Sequence, residues 1–259
     1  MPGEGRVRIG LAAHWCRIRD AEGAQTARTK RATPRGNDEF QQHTNRILMS
    51  RLRKGSRVWR GEEVNAASRV QVACTGPVFT IEPGTLFERA APLEIEIGAG
   101  RGDFILERAV KTPERNFLAV ELAATIAQLM AVRAGRGGMT NLKVARMDAR
   151  TLVNLMLPEA SVDAFHIYFP DPWPKERHIK HRLFTDWFAA SLKVRLRPQA
   201  PLFVATDVGE YAEAIFAMLA RCGFVRTELA VPGAESTGFA LRFRAAGKPI
   251  HAGAFVART

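Results

Sequence analysis

The chain has 259 residues, 46% of them hydrophobic, enough for one large α/β domain with its own core and an appended segment. No stretch approaches the roughly 18 uninterrupted apolar residues of a membrane-crossing helix, and no apolar run precedes a small-residue cleavage site, so neither a membrane span nor a secretory signal is expected. The formal charge is +12, and residues 1–60 hold fourteen Lys/Arg against five Asp/Glu, nine of those net charges, a balance that favours phosphates or another anionic surface as partner.

Three cysteines, Cys16, Cys74 and Cys222, lie far apart without CxxC spacing. That pattern argues against a disulfide framework or structural zinc and for a reducing, cytoplasmic setting. Residues 1–60 lack periodicity and are rich in Arg, Gly and Thr, so they read as a basic, poorly ordered extension or a solvated tail, within which Met49 offers an alternative initiator. Residues 61–92, with Gly76-Pro77, Pro83-Gly84 and Pro92, read as a linker with at most one short strand.

From Leu93 the pattern alternates. Strands are expected at 93–97, 117–121, 142–147, 162–169 and 202–206, with two more at 224–230 and 250–256. Helices are expected at 103–110, 122–133, 180–194 and 209–221, the last stopped by Gly223. Such alternation predicts a Rossmann-like, doubly wound, mainly parallel seven-stranded sheet with helices on both faces, occupying residues 93–259.

The first strand ends in Glu96-Ile-Gly98-Ala-Gly100-Arg-Gly102-Asp and opens a helix. Its glycines allow a tight turn and close backbone approach to a ligand. Glu121, at the end of the second strand, is placed to take a ribose hydroxyl pair. GAGRG lacks the pyrophosphate-binding GxGxxG spacing, and Glu96 would repel a pyrophosphate while attracting the amino group and sulfonium of S-adenosylmethionine. Asp148, ending the third strand, can accept from an adenine amino group. Each acid taken singly also fits a helix cap or loop-end residue.

After the fourth strand comes Phe169-Pro-Asp171-Pro-Trp173-Pro-Lys175-Glu-Arg177-His178-Ile-Lys180-His181-Arg182. Three prolines stiffen the loop around Asp171 and Trp173, and the basic run suits a polyanion. An aromatic loop beside such a run fits a stacked nucleobase; the bland alternative is a rigid turn with a buried tryptophan.

These motifs, with Ala205-Thr206-Asp207, resemble the bacterial tRNA (guanine-N7)-methyltransferase family over residues 93–257. The resemblance implies methyl transfer from S-adenosylmethionine to N7 of a variable-loop guanine, position 46, in tRNA. A monomer or homodimer is expected, and the chemistry requires no metal, for which no His, Cys or acid spacing is seen. By the same resemblance Glu96, Glu121, Asp148 and Asp171 match cofactor-site carboxylates, joined by Gly98 and Gly100 of the loop, with Asp171 also catalytic. Lys175 and Asp207 match substrate residues, although Asp207 also fits a cap for the helix at 209–221. The family's last substrate motif, Thr-x-Phe-Glu, aligns with Thr237-Gly238-Phe239-Ala240. Ala240 departs from it: a methyl group accepts no hydrogen bond from guanine, so Glu235 or another acid must take over, or base recognition is weaker. An amino-group methyltransferase, whose loop carries one more proline, and a non-catalytic tRNA-binding relative are the alternative readings; a dehydrogenase lacks any hydride-transfer acid or base.

Overall fold

The computed structural model describes residues 61–72, 80–234 and 237–258, all within a compact unit spanning Trp59–Thr259. The basic stretch 1–60 lies outside the described residues. Seven strands, β1 (Leu93–Ile97), β2 (Asn116–Glu121), β3 (Leu142–Arg146), β4 (Ala164–Tyr168), β5 (Pro201–Thr206), β6 (Phe224–Thr227) and β7 (His251–Ala257), form one sheet in the order β3-β2-β1-β4-β5-β7-β6. Pairing is parallel from β3 through β5. β7 runs antiparallel to both β5 and β6. The order reverses between β1 and β4, and open α/β sheets bind ligands at such a switch point, beyond the strand C-termini.

Burial on both faces explains the nearly continuous apolar strands. Ile95 and Ile97 of β1 with Leu118 and Val120 of β2 face one cluster, which includes Leu152, Phe188, Leu192 and Ile215. Phe117, Ala119, Val144 and Ala205 face the other, with Phe104, Ile105, Met130 and Ala131. Helices α3 (Asp103–Lys111) and α4 (Ala124–Arg136) therefore cover one face, and α6 (Asp186–Arg195) and α7 (Gly209–Arg221) the other. The alternation that buries Ile95 and Ile97 turns Glu94 and Glu96 toward the opposite side, where both are almost fully enclosed. Glu94 is neutralised there by Arg108 and Arg115 and hydrogen-bonded to His166 Nε2 at 2.9 Å; His166 Nδ1 lies 2.9 Å from the Tyr168 hydroxyl.

The described parts of 61–92 depart from a linker. Helix α1 (Gly61–Ser68) docks on α4 so closely that a Cβ at Gly135 would stand 1.9 Å from the Ala66 carbonyl oxygen. A one-turn helix, α2 (Pro83–Leu86), follows, and the strand expected there is a single bridge between Gln71 and Val144. Residues 180–194 are not one helix. The charged stretch Glu176–His181 winds as a 3-10 helix, and α6 starts only after Thr185, whose hydroxyl accepts the Phe188 amide at 3.1 Å. Strand β6, at the sheet edge and paired with β7 alone, stops at Thr227, short of residue 230.

Further elements carried no sequence signal of their own. A short helix α5 (Ala149–Thr151) runs into a π-helical turn at Leu152–Met156, and helix α8 (Gly238–Ala245) lies between β6 and β7. Among the described residues no helix is long and apolar enough to cross a membrane.

Candidate active site

The first loop leaves β1 with the amides of Gly98 and Ala99 both bonded to the Val120 carbonyl, at 2.9 and 3.0 Å. Gly98 and Gly100 adopt φ of +73° and +56°, which L side chains rarely tolerate. A Cβ at Gly98 would meet nothing within 4 Å, and one at Gly100 only the Gly98 carbonyl at 3.9 Å. The glycines are therefore required by backbone shape, and they border open space rather than packed protein.

Three predicted carboxylates stand at or just beyond the C-terminal ends of β1, β2 and β3, each in a different state. Glu96 is 4% exposed, and its Oε2 has no hydrogen-bond partner among the described residues. Burial pushes its pKa well above the usual carboxylate range; the Ile105 amide opposes this, and the nearby charges of Asp103 and Glu121 reinforce it. Glu121 is half-buried and binds backbone, with Oε2 accepting the Gly100 amide at 2.9 Å and Oε1 the Ala123 amide at 2.8 Å. Asp148 is the N-cap of α5, its Oδ1 accepting the Arg150 amide at 2.7 Å.

On the other side of the switch point, Phe169 and Trp173 hold φ of +51° and +40°. Non-glycine residues in this region are uncommon and store backbone strain, so the surroundings must impose the conformation. Arg182 does so from the far side of the 3-10 helix, donating through Nε to the Pro172 carbonyl at 2.7 Å, and Arg150 donates in turn to the Arg182 carbonyl at 2.7 Å. The Arg182 guanidinium also lies 4.8 Å over the ring of Tyr211, whose hydroxyl burial pushes up to about 12. Trp173 is not a core tryptophan; it is half-exposed, with His178 and His181 at ring distances of 5.6 and 5.3 Å. Asp171 has surface open to solvent and packed protein beneath it, and this partial burial raises its pKa. Lys175, Arg177 and Lys180 are exposed around it.

Helix α8 closes the third side. Thr237 is buried and caps the helix, accepting the Ala240 amide at 3.0 Å. Phe239 is 43% exposed, near-parallel to Phe169 at 6.1 Å, with the Arg242 guanidinium 4.4 Å above it. Ala240 is fully buried. Asp207 does not cap α7, whose cap position is Val208 without a side-chain bond; it pairs instead with Lys248 at 3.1 Å. Glu235 lies outside the described residues. The structure thus gathers Gly98, Gly100, Glu96 and Glu121 around one loop, with Phe239 against the residue that opens the Asp171 loop. Arg150, Arg182, Phe243 and Arg242 belong to the same rim but carry no sequence signal beyond their charge or ring.

Among the described residues no three His, Cys, Asp or Glu side chains cluster as metal ligands. A mainly parallel sheet with an acid-lined glycine loop at its switch point is the architecture of an α/β methyltransferase, and a family model described as a putative methyltransferase matches residues 90–247. A 16S rRNA methyltransferase, KamB, shares the fold, with a TM-score of 0.51 over 67% of this chain and 92% of that one, at 15% identity. The tRNA (guanine-N(7)-)-methyltransferase of Syntrophotalea carbinolica is 38% identical over 172 residues, 64% of this chain and 74% of the relative. That of Paracidovorax citrulli is 36% identical over 179 residues, 67% of this chain and 70% of the relative. The chain belongs to the tRNA (guanine-N(7)-)-methyltransferase family.

Proposed function

We propose that the protein transfers a methyl group from S-adenosylmethionine to N7 of a guanine in tRNA, the variable-loop guanine at position 46. The observation that carries this reading is Glu96 Oε2, a buried carboxylate oxygen without a partner among the described residues, beside a glycine loop that faces open space. An unpaired buried acid is costly unless a ligand completes it, and a cationic ammonium is the matching group. The residues therefore fit S-adenosylmethionine. Glu96 and the loop at Gly98 and Gly100 would hold its amino-acid end, Glu121 its ribose hydroxyls, and Asp148 its adenine amino group through the oxygen that does not cap α5.

When bound, S-adenosylmethionine supplies a methyl group activated on a sulfonium. Guanine N7 carries a free lone pair at neutral pH, so this chain needs no general base and acts by alignment. The strained, proline-flanked backbone holds Asp171 at the mouth of the switch point, where its charge can offset the positive charge developing on the base. Phe239 offers a face for the base to lie on. Thr237 accepts the Ala240 amide yet keeps its own hydroxyl proton to donate. Asp207, held by Lys248, and Lys175 lie on the substrate side, where Lys175 with Arg177 and Lys180 meets the tRNA phosphates. We place this activity in residues 93–259, with the described helix Gly61–Ser68 packed onto that body.

The reading is tested by incubating the protein with unmodified tRNA and S-adenosylmethionine, then digesting the tRNA for nucleoside mass spectrometry. 7-Methylguanosine is expected, and reductive strand cleavage at the modified base should map it to the variable loop. A methyl group on an exocyclic amine instead would replace this reading with an amino-group methyltransferase.

A further inference from the structure

We propose that Asp103 reads the target base, its carboxylate accepting hydrogen bonds from the N1–H and exocyclic amine of guanine; this rests on the guanine-N7 reading above. Guanine presents those two donors side by side on the edge across the ring from N7. A base gripped there leaves N7 free, and an ionised carboxylate, which only accepts, is the matching partner.

The chain needs such an acceptor at helix α8 and does not supply one from the helix itself. Ala240, in the motif beside Phe239, is a fully buried methyl group. Among the described residues, Glu121 and Asp148 hold backbone amides and face the cofactor in the reading above, Asp207 pairs with Lys248, and Glu96 is enclosed beneath the glycine loop. Asp171 stands apart in the proline loop, where that reading sets its charge against the cation developing on the base.

Asp103 differs from all of these. It is the first residue of α3, directly after the glycine loop, and its side chain is 44% exposed. Arg133 fixes one oxygen, Nη1 to Oδ1 at 3.2 Å, and the same Nη1 donates to the Arg101 carbonyl, so the carboxylate is held in place. The other oxygen, Oδ2, lies against the first turn of α8: a Cβ at Gly238 would stand 2.6 Å from it. Only glycine at 238 lets the carboxylate sit there. The same turn presents Phe239, which faces Phe169 at the entrance to the Asp171 loop. One helical turn thus joins a fixed acceptor to a partly exposed aromatic ring, the two kinds of contact that recognition of an unstacked base requires.

The test compares methylation of tRNA carrying guanosine or inosine at the target position, since inosine keeps N7 and N1–H but lacks the amine. The wild type should favour guanosine by roughly tenfold or more in kcat/KM, because a site built for a donor rejects the analogue without it. Asp103→Asn should lower guanosine turnover by about tenfold and bring the guanosine-to-inosine ratio to within about twofold of unity, with cofactor affinity by calorimetry nearly unchanged. Gly238→Ala, which displaces the carboxylate without removing it, should also collapse the ratio in a folded protein. An unchanged ratio in both variants overturns the assignment. Loss of cofactor affinity with the ratio intact would overturn it too, moving Asp103 to the cofactor's ammonium. A wild type that forms no 7-methylguanosine removes the reading on which the proposal stands, an outcome separate from either of these.

Discussion

Glu121 Oε2 accepts the amide of Gly100 at 2.9 Å, tying the end of β2 to the glycine loop beyond β1. A residue expected to touch a ribose therefore also shapes the loop that would cradle the rest of the ligand. Glu121→Ala removes both contributions and leaves two backbone amides, of Gly100 and Ala123, to find water. Cofactor affinity should fall by about 1–3 kcal/mol, the usual loss for unpaired hydrogen-bonding groups in a site. Calorimetric titration showing wild-type affinity would free Glu121 of any cofactor role.

Glu96 should make cofactor binding depend on pH. Burial, the largest cause, raises its pKa well above the ordinary 4.5, so near and below that raised value the free protein carries a proton there. An ammonium group stabilises the ionised form, so binding releases the proton and affinity rises with pH until Glu96 is ionised in the free protein. Titrations in buffers of different ionisation enthalpy measure the released proton directly. A heat independent of buffer would show that Glu96 does not meet the cation.

Glu94 works in the opposite sense and concerns stability. Burial alone would raise its pKa, but hydrogen bonds from His166 and Arg108 and their charges bring it down to about 2. The folded value lies below the unfolded one, so the stabilisation is complete above about pH 4.5 and is lost as pH falls toward 2. Its size is of order 3 kcal/mol, from the energy of each pKa unit. Glu94→Gln should cost roughly that at pH 7 in urea unfolding, and the gap from wild type should close as the pH approaches 2.

Gly135 tests the docking of the segment preceding the sheet. In an exposed helix, Gly→Ala stabilises by up to about 1 kcal/mol. Here the added methyl would meet the Ala66 carbonyl at 1.9 Å, and backbone cannot swing aside as a side chain would. Gly135→Ala should therefore destabilise, by about 1–3 kcal/mol as overpacked sites do, and hydrogen exchange should rise first in Gly61–Ser68. A raised melting temperature would show that α1 does not pack there.

What was legible follows from period and punctuation. The apolar runs of β1 to β5 and the helix Gly209–Arg221, stopped at Gly223, stand where hydrophobic pattern and a terminal glycine put them. The reversed β7 was not legible, because an apolar run carries no sign of its direction. Helix α1 was missed because its contact depends on Ala66 meeting Gly135 across sixty-nine positions, and small residues give no periodic signal. Helix α8 was missed because Thr237 read as a substrate motif, whereas its hydroxyl is a helix cap. In the candidate site the acids could be named from their places at strand ends. Their differing states could not, since Glu96 and Glu121 differ only in what surrounds them.

Asp171 offers the sharpest test of how the site acts. Its backbone is fixed by Pro170 and Pro172, and the Pro172 carbonyl is itself held by Arg182 at 2.7 Å, so Asp171→Asn should keep the loop's shape while removing the charge. If that charge offsets the cation developing on guanine, the rate of the chemical step should fall by roughly 10²-fold or more, as for loss of one electrostatic group. Binding of tRNA and cofactor should change far less, because an interaction made mainly in the transition state lowers kcat rather than raising KM. The raised pKa adds a second readout. As pH falls through it, wild-type turnover should drop as the carboxylate takes a proton, while the asparagine variant, with nothing to titrate there, should lack that limb. Single-turnover methylation at several pH values measures both effects. Near-normal chemistry with a raised KM and an unchanged acidic limb would reduce Asp171 to a residue that positions the base.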